Sequence, residues 1–241
     1  MNASDIDAPG FLGVIVLDTR FPRPPGDIGC PATYDRAGIP ARFLKVPGAS
    51  ARRVVQTQDP ALLGPFVDAV QVLADQGARL ITTSCGFLAG WQAELQAAVD
   101  VPVHTSSLLQ CAGLAAPGIV TFDALSLNDR VLRLAGVPAG TPVEGLSPGC
   151  ELQARILADD TLIDFDKARD DVVGAAMRLV ARHPEVRTLV LECTNMPPYR
   201  EAVARVTGRP VHDLESWLLD SWRALAAAGA GAQSSSTRRD G

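Results

Sequence analysis

The chain has 241 residues, 47% of them hydrophobic, and a formal net charge of −5. That is enough apolar material for a sizeable core, and there is no basic face, so neither nucleic acid nor an anionic membrane surface is an expected partner. No apolar run approaches the roughly 18 residues needed to span a bilayer, and "MNASDIDAPG" lacks the basic-then-apolar order of a secretory signal, so a cytoplasmic protein is expected.

The elements follow in chain order. "FLGVIVLD" (11–18) is a continuous apolar strand, followed by a Pro/Gly-rich loop over 19–40. "ARFLKVPG" is a short strand. "DPALLGPFVDAVQVLADQGA" (59–78) is an amphipathic helix, with Asp59 as N-cap and Pro60 as its first residue. "RLITTS" is a strand, "GWQAELQAAVD" a helix, "VPVHTSS" a short strand and "SLLQCAGLAA" a helix ended by Pro117-Gly118. The second half reads as a strand "GIVTFD" (118–123), a helix around 125–135, an irregular stretch, and a long helix within 164–184. The strand "RTLVLE", a helix after Pro197-Pro198, the strand "RPVHDL" and a last helix over 214–228 complete it. Wholly apolar strands alternating with helices predict an α/β fold with mainly parallel sheets flanked by helices.

Five cysteines, at 30, 85, 111, 150 and 193, form no CxxC pair, which argues against a disulfide framework or a zinc ribbon. Cys111 sits on an apolar helical pattern and reads as packed. Cys30 and Cys150 follow glycine in loops without an evident task. Cys85 and Cys193 differ: each stands at the carboxyl end of a strand, and each precedes Pro-Val-His (102–104 and 210–212) at the same separation without a gap. Gly13 of "GVIVLD" and Gly118 of "GIVTFD" stand at nearly equal distances upstream. The chain therefore reads as two pseudo-symmetric α/β halves, 10–117 and 118–210. A closing helix over 211–228 and a disordered tail over 229–241 follow.

In open parallel sheets, ligands bind beyond the carboxyl ends of the strands. A thiol at the turn into a helix feels the free N–H groups there, which predicts a lowered pKa for Cys85 and Cys193. Two such thiols facing each other across the cleft between the halves can take and return a proton on carbon next to a carboxylate, with no metal or organic cofactor. Hydroxyls of Thr83, Ser84, Ser106, Ser107 and Thr194, with Asn195 beside them, are candidates to hold that carboxylate. Gly86, Phe87, Trp91 and Tyr199 are candidates for the pocket wall. The loop 19–40 starts at the mouth of the site and is longer than most connections. Within it Arg20 suits a carboxylate, Arg23 can help close over a ligand, and Asp27 and Tyr34 suit a cationic group. His104 and His212 read more readily as structural than as catalytic, and His183 as a surface residue. No cluster has metal-ligand spacing, and neither GxGxxG nor GxxxxGK[ST] occurs.

At these cysteines the chain resembles the aspartate/glutamate racemase superfamily, over about residues 10–225. That superfamily includes amino-acid racemases, hydantoin racemase, maleate isomerase, arylmalonate decarboxylase and the algal dimethylsulfoniopropionate lyases. The resemblance implies that Cys85 and Cys193 are the proton-abstracting and proton-donating groups. Two departures bear on substrate: Cys85-Gly86-Phe87 replaces the usual Cys-Asn-Thr, and Glu192-Cys193-Thr194-Asn195 replaces Gly-Cys-Thr-Glu. The stretches "PPGDIGCPATYD", "CGF", "SSLLQ" and "LECTNMPPY" resemble the lyase branch. The expected activity is that of a cofactor-independent racemase or isomerase acting on a small carboxylate. The alternatives are β-elimination with the same cysteines and a non-catalytic acid-binding module. A homo-oligomer is compatible with all three readings.

Overall fold

The computed structural model describes the backbone of residues 10–236 and the side chains of residues 10–228. Within these described residues eight strands form two four-stranded sheets, every pairing parallel. The first sheet, in the order β2-β1-β3-β4, contains β1 (Phe11–Leu17), β2 (Ala41–Val46), β3 (Ala78–Thr83) and β4 (Val103–His104). The second, in the order β6-β5-β7-β8, contains β5 (Pro117–Thr121), β6 (Val143–Gly145), β7 (Thr188–Leu191) and β8 (Val211–His212). The two orders correspond strand for strand. This is the α/β fold of two pseudo-symmetric halves that the repeat predicts.

Among the described residues eight α-helices connect and cover the strands: α1 (Pro31–Asp35), α2 (Leu63–Asp75), α3 (Gln92–Ala97), α4 (Asp129–Leu134), α5 (Glu151–Ala158), α6 (Phe165–Arg182), α7 (Arg200–Thr207) and α8 (Leu214–Ser236). Asp59 caps as expected, accepting from Ala61 N, and a short 3-10 turn over Pro60–Leu62 leads into α2. The repeated glycines have a packing role. A Cβ on Gly13 would press on Leu73 of α2, and one on Gly118 on Leu179 of α6 and on Val186. Each half thus brings its covering helix close to its central strand.

Five stretches differ from the sequence expectation. The segment read as irregular contains β6 and α5; a three-residue, half-buried edge strand has too little length for a period. The chain after Cys85 first makes a 3-10 turn over Gly86–Trp91, where two glycines disfavour an α-helix. "SLLQCAG" (107–113) is also 3-10. The loop 19–40 contains α1, begun by Pro31. Helix α8 continues to Ser236 through alanine-rich sequence, so residues 229–236 of the expected tail are helical; residues 237–241 lie outside the described residues, as do 1–9.

The last helix crosses back to the first half. Leu214 and Leu218 of α8 pack with Leu12, Val14 and Leu80 on the face of the first sheet opposite α2. Arg79 Nη2 donates to Leu225 O (2.8 Å), and the His104 ring stacks on Trp217 at 3.8 Å. In the other direction Ser107 Oγ, after β4, donates to Leu191 O of β7 (2.6 Å). Each half is therefore tied to its partner by the segment after its Pro-Val-His. Among the described residues no helix is long and apolar enough to cross a membrane.

Candidate active site

Cys85 and Cys193 stand two residues beyond β3 and β7, the corresponding strands of the two sheets. Both line one cleft of about 350 Å³, counting its mouth. Its polar wall is Ser84, Cys85, Glu192, Cys193, Thr194, Asn195 and Arg23. Its apolar wall comes from distant parts of the chain: Leu17 and Phe21 at the end of β1, Ala51 and Val55, Phe87, Phe122 after β5, and Ile156 of α5.

The strand-end segments are cross-linked by hydrogen bonds. Ser84 Oγ accepts from Leu17 N (3.1 Å), and Thr194 Oγ1 donates to Ser84 O (2.7 Å) across the halves. Thr83 Oγ1 donates to Cys85 O (3.1 Å) and Thr105 O (3.0 Å). These side chains are buried and committed to backbone groups, which gives the two thiols a stiff support.

Cys193 leads into a chain of polar contacts. Its Sγ donates to Asn195 Oδ1 (3.4 Å), and Asn195 Nδ2 donates to Asp27 Oδ2 (2.6 Å). Asp27 Oδ1 accepts from Arg23 Nη1 (2.8 Å) and Gly29 N (2.7 Å). Arg23 Nη2 donates to Thr19 Oγ1 (3.1 Å), and its guanidinium lies 4.2 Å from the Phe21 ring centroid. The Arg23–Asp27 pair is nearly dry, with side chains 11% and 2% exposed.

The thiols do not have the lowered pKa that their strand-end position predicts. Burial pushes Cys85 up to about 12, and the Glu192 carboxyl adds to the rise. Cys193 is raised well above the ordinary thiol range for the same two reasons, in the same order. Backbone N–H groups of Phe87 and Leu88 at Cys85, and of Asn195 at Cys193, favour the thiolates but do not offset desolvation.

Glu192 is the residue that sequence reasoning missed. It is fully buried, and Oε2 accepts from Thr121 Oγ1 (2.8 Å). Oε1 has no hydrogen-bond partner among the described residues. A Cβ on Gly86 would collide with the carbonyl oxygen and Oε1 of Glu192. The space that glycine leaves after Cys85 is therefore filled by the glutamate before Cys193. The two departures from the racemase pattern are one feature. The available signal was a carboxylate ending a wholly apolar buried strand.

The remaining candidates fall outside the cleft wall. Arg20 is exposed, and its backbone N and Nε donate to Asp159 (2.6 and 3.1 Å), pinning the loop to the end of α5. It is Arg23, not Arg20, that reaches the cleft. Tyr34 is buried under α8, donating to Ile28 O (2.9 Å). Asp27 acts through Asn195, not at the wall. Ser106 caps the turn that follows it, accepting from Leu108 N (3.3 Å), and Ser107 ties the halves. Tyr199 is buried in the 3-10 turn before α7. Trp91 packs near Phe66 and lines a neighbouring cavity that shares Phe87 with the cleft. His104, which burial lowers to about 4, stacks on Trp217 away from the cleft. Among the described residues no group of three His, Cys, Asp or Glu side chains is placed to hold a metal ion.

No protein-family model matches the chain. A dimethylsulfoniopropionate lyase of Durusdinium sp. clade D is 30% identical over 216 residues, covering 84% of this chain and 70% of the relative. Dimethylsulfoniopropionate lyase 7 of Emiliania huxleyi is 31% identical over 223 residues, and there the chain spans 63% of the relative's length. Among solved structures, arylmalonate decarboxylase superposes with a TM-score of 0.57 at 19% identity, covering 92% of this chain and 93% of that one. Allantoin racemase from Klebsiella pneumoniae superposes with a TM-score of 0.58 at 17% identity, covering 90% and 89%. The chain is thus an enzyme that belongs to the family of the dimethylsulfoniopropionate lyases, on a fold shared with arylmalonate decarboxylase and allantoin racemase.

Proposed function

We propose that Cys85 and Cys193 remove and return the proton on the carbon α to the carboxylate of a small acid, one thiol on each face of that carbon. The supporting observation is that equivalent strand ends of two homologous halves deliver both thiols to a single cleft. The buried thiols become thiolates only at a cost, and the base is the small fraction that has released its proton to solvent before the ligand enters, the other cysteine remaining a thiol that can donate. Arrival of a ligand with a less hydrated substituent displaces water from the apolar wall and leaves the thiolate as a strong base in a dry site. The wall of Leu17, Phe21, Val55, Phe87, Phe122 and Ile156 suits such a substituent better than a free ammonium group, whose N–H donors it would leave unpaired. Free aspartate and glutamate are accordingly poor substrates.

The test is incubation with a panel of small carboxylic acids in D₂O, followed by NMR for α-deuterium exchange. Turnover lost in both Cys85→Ala and Cys193→Ala, by at least the roughly 10²–10⁴-fold of positioned proton transfer, supports the reading, and exchange kept on one enantiomer only in each variant supports its two-base form. Full activity in either variant overturns it.

A second reading shares the first step. Loss of the α proton with expulsion of a β leaving group is elimination, and the relatives' activity on dimethylsulfoniopropionate favours it. The unlike surroundings of the thiols also favour it: Cys193 bonds to the Asn195–Asp27–Arg23 chain, whereas Cys85 lies against backbone N–H groups and Glu192. With dimethylsulfoniopropionate, one thiolate takes the α proton, the C–S electron pair leaves with sulfur, and dimethyl sulfide and acrylate result. Headspace detection of dimethyl sulfide distinguishes this outcome from chiral inversion of an unreacted acid.

A further inference from the structure

Three buried side-chain atoms lack a hydrogen-bond partner among the described residues: His104 Nδ1, Glu192 Oε1 and Arg209 Nε. Of the three residues, Glu192 is the one on the cleft wall. Its two oxygens are unlike. Oε2 accepts from the Thr121 hydroxyl, and the nearby backbone N–H of Phe122 favours the ionised form without offsetting burial. Oε1 lies without a partner against Gly86, a residue that itself lines the cleft.

Among the described residues, the groups around it supply no free counter-ion. From the ends of β3 and β7 come the thiols of Cys85 and Cys193, both destabilised as thiolates by charge on Glu192. From the end of β5 come the Thr121 hydroxyl and Phe122, while Asp123 turns away to Leu125 N and Ser126. Helix α5 presents Ile156, and the loop presents Arg23 with Asp27 already bound to it. A carboxylate here would be buried and unpaired, and a thiolate and a carboxylate would repel each other in one dry site.

We propose that Glu192 enters the reaction as a neutral carboxylic acid, its proton on Oε1, and donates a hydrogen bond to the substrate's carboxylate. The proposal rests on the reading that this cleft takes a small carboxylate. The proton stays on Glu192 throughout. As electrons from the breaking C–H bond spread onto the substrate's carboxylate oxygens, the Oε1–H···O bond strengthens, so the contact favours the enediolate over the ground state. A carboxyl in an apolar site can be held neutral at physiological pH for this use. Burial pushes Glu192 up to about 7, and an arriving anion raises it further. Gly86 is then required because a side chain there would take the position from which Oε1 reaches the ligand.

The test is calorimetric titration of the enzyme with propionate, a bare carboxylate, from about pH 6 to about pH 8.5, in the parent chain and in Glu192→Gln, which keeps a donor at that position without the titration. The parent should bind propionate with proton uptake, and affinity should fall by up to about tenfold per pH unit above about 7. Glu192→Gln should bind within about threefold of the parent at the low end and stay flat. A flat profile in the parent, or a sloping one in Glu192→Gln that follows the parent, overturns the role of Glu192 alone. Absence of propionate binding at every pH in both proteins overturns the carboxylate-cleft reading, and this proposal with it. Infrared spectra of the parent supply a readout independent of the variant's folding. A protonated-carboxyl C=O band near neutral pH that shifts on adding propionate supports the proposal, and its absence overturns it.

Discussion

Asn195 donates from Nδ2 to Asp27 Oδ2 at 2.6 Å, and that bond determines which end of the amide meets Cys193. With the NH₂ group committed to a buried carboxylate, only Oδ1 is left for the thiol, 3.4 Å away. Asp27 thereby positions Cys193 through a residue that is 168 places away in sequence. Asp27→Asn removes the charge facing a nearly dry Arg23, and breaking a buried pair costs about 3–5 kcal/mol. Asn195→Ala leaves Arg23 paired and should cost about 1–3 kcal/mol, while lowering kcat more than it raises KM. Urea midpoints beside steady-state rates check both, and unchanged kcat in Asn195→Ala would remove the amide from the mechanism.

Thiol reactivity should report the raised pKa values directly. With Cys85 at about 12 and Cys193 raised well above the ordinary thiol range, both are protonated near neutrality in the ligand-free protein. Alkylation by iodoacetamide should therefore be slow near pH 7 and climb about tenfold per pH unit through about pH 9, because only the thiolate reacts. Peptide mass spectrometry at timed intervals resolves the sites. A plateau already near neutrality would restore the lowered pKa expected for a strand-end thiol.

Gly86→Ala puts a methyl group into the Glu192 backbone and side chain. Overpacking of this kind costs about 1–3 kcal/mol, and activity should fall with it. Adding Glu192→Ala should recover only part of the stability, since the carbonyl oxygen of Glu192 remains in contact. A double-mutant cycle from thermal melts measures that coupling; strict additivity would show that the two residues do not share the space.

Stability should depend on pH through Glu192. Its folded-state pKa is raised from 4.5 to about 7, so the folded state favours the neutral form. Its stabilising contribution is complete below the unfolded pKa and is lost as pH rises through about 7. At about 1.4 kcal/mol per pKa unit the whole swing is of order 3 kcal/mol. Glu192→Gln should therefore gain on the parent between about pH 5 and about pH 8 in denaturant titrations. Glu215, also raised to about 7, titrates in both proteins and cancels in the difference. A constant gap across that range would contradict the assignment.

Arg20→Ala tests the loop. The side chain is exposed and pairs with Asp159, so its removal should cost no more than about 1 kcal/mol and leave carboxylate affinity within about threefold. A loss of binding beyond tenfold would mean that Arg20 swings into the cleft when it is occupied.

Much of the architecture was legible because it is periodic and repeated. Apolar strands followed by amphipathic helices are set by local sequence, and the matched Cys…Pro-Val-His spacing alone places two thiols at equivalent strand ends. What lacked a period was not legible. The three-residue β6 is too short to announce itself, and α5 was hidden with it, although Ile156 on that helix forms part of the cleft wall. The loop's two arginines read alike in sequence, and their roles separate only where Asp159 and Asp27 meet them.

Fold class, duplication and the strand-end positions of the two cysteines are encoded in residue order along single strands and helices, and so can be read from the chain before it folds. Tertiary structure alone decided the electrostatics of the site. Whether a strand-end thiol is lowered or raised depends on how much water and which charges surround it, and here closure of two halves buries both thiols beside Glu192. The same closure brings Gly86 and Glu192, 106 residues apart, into one space that neither local segment specifies.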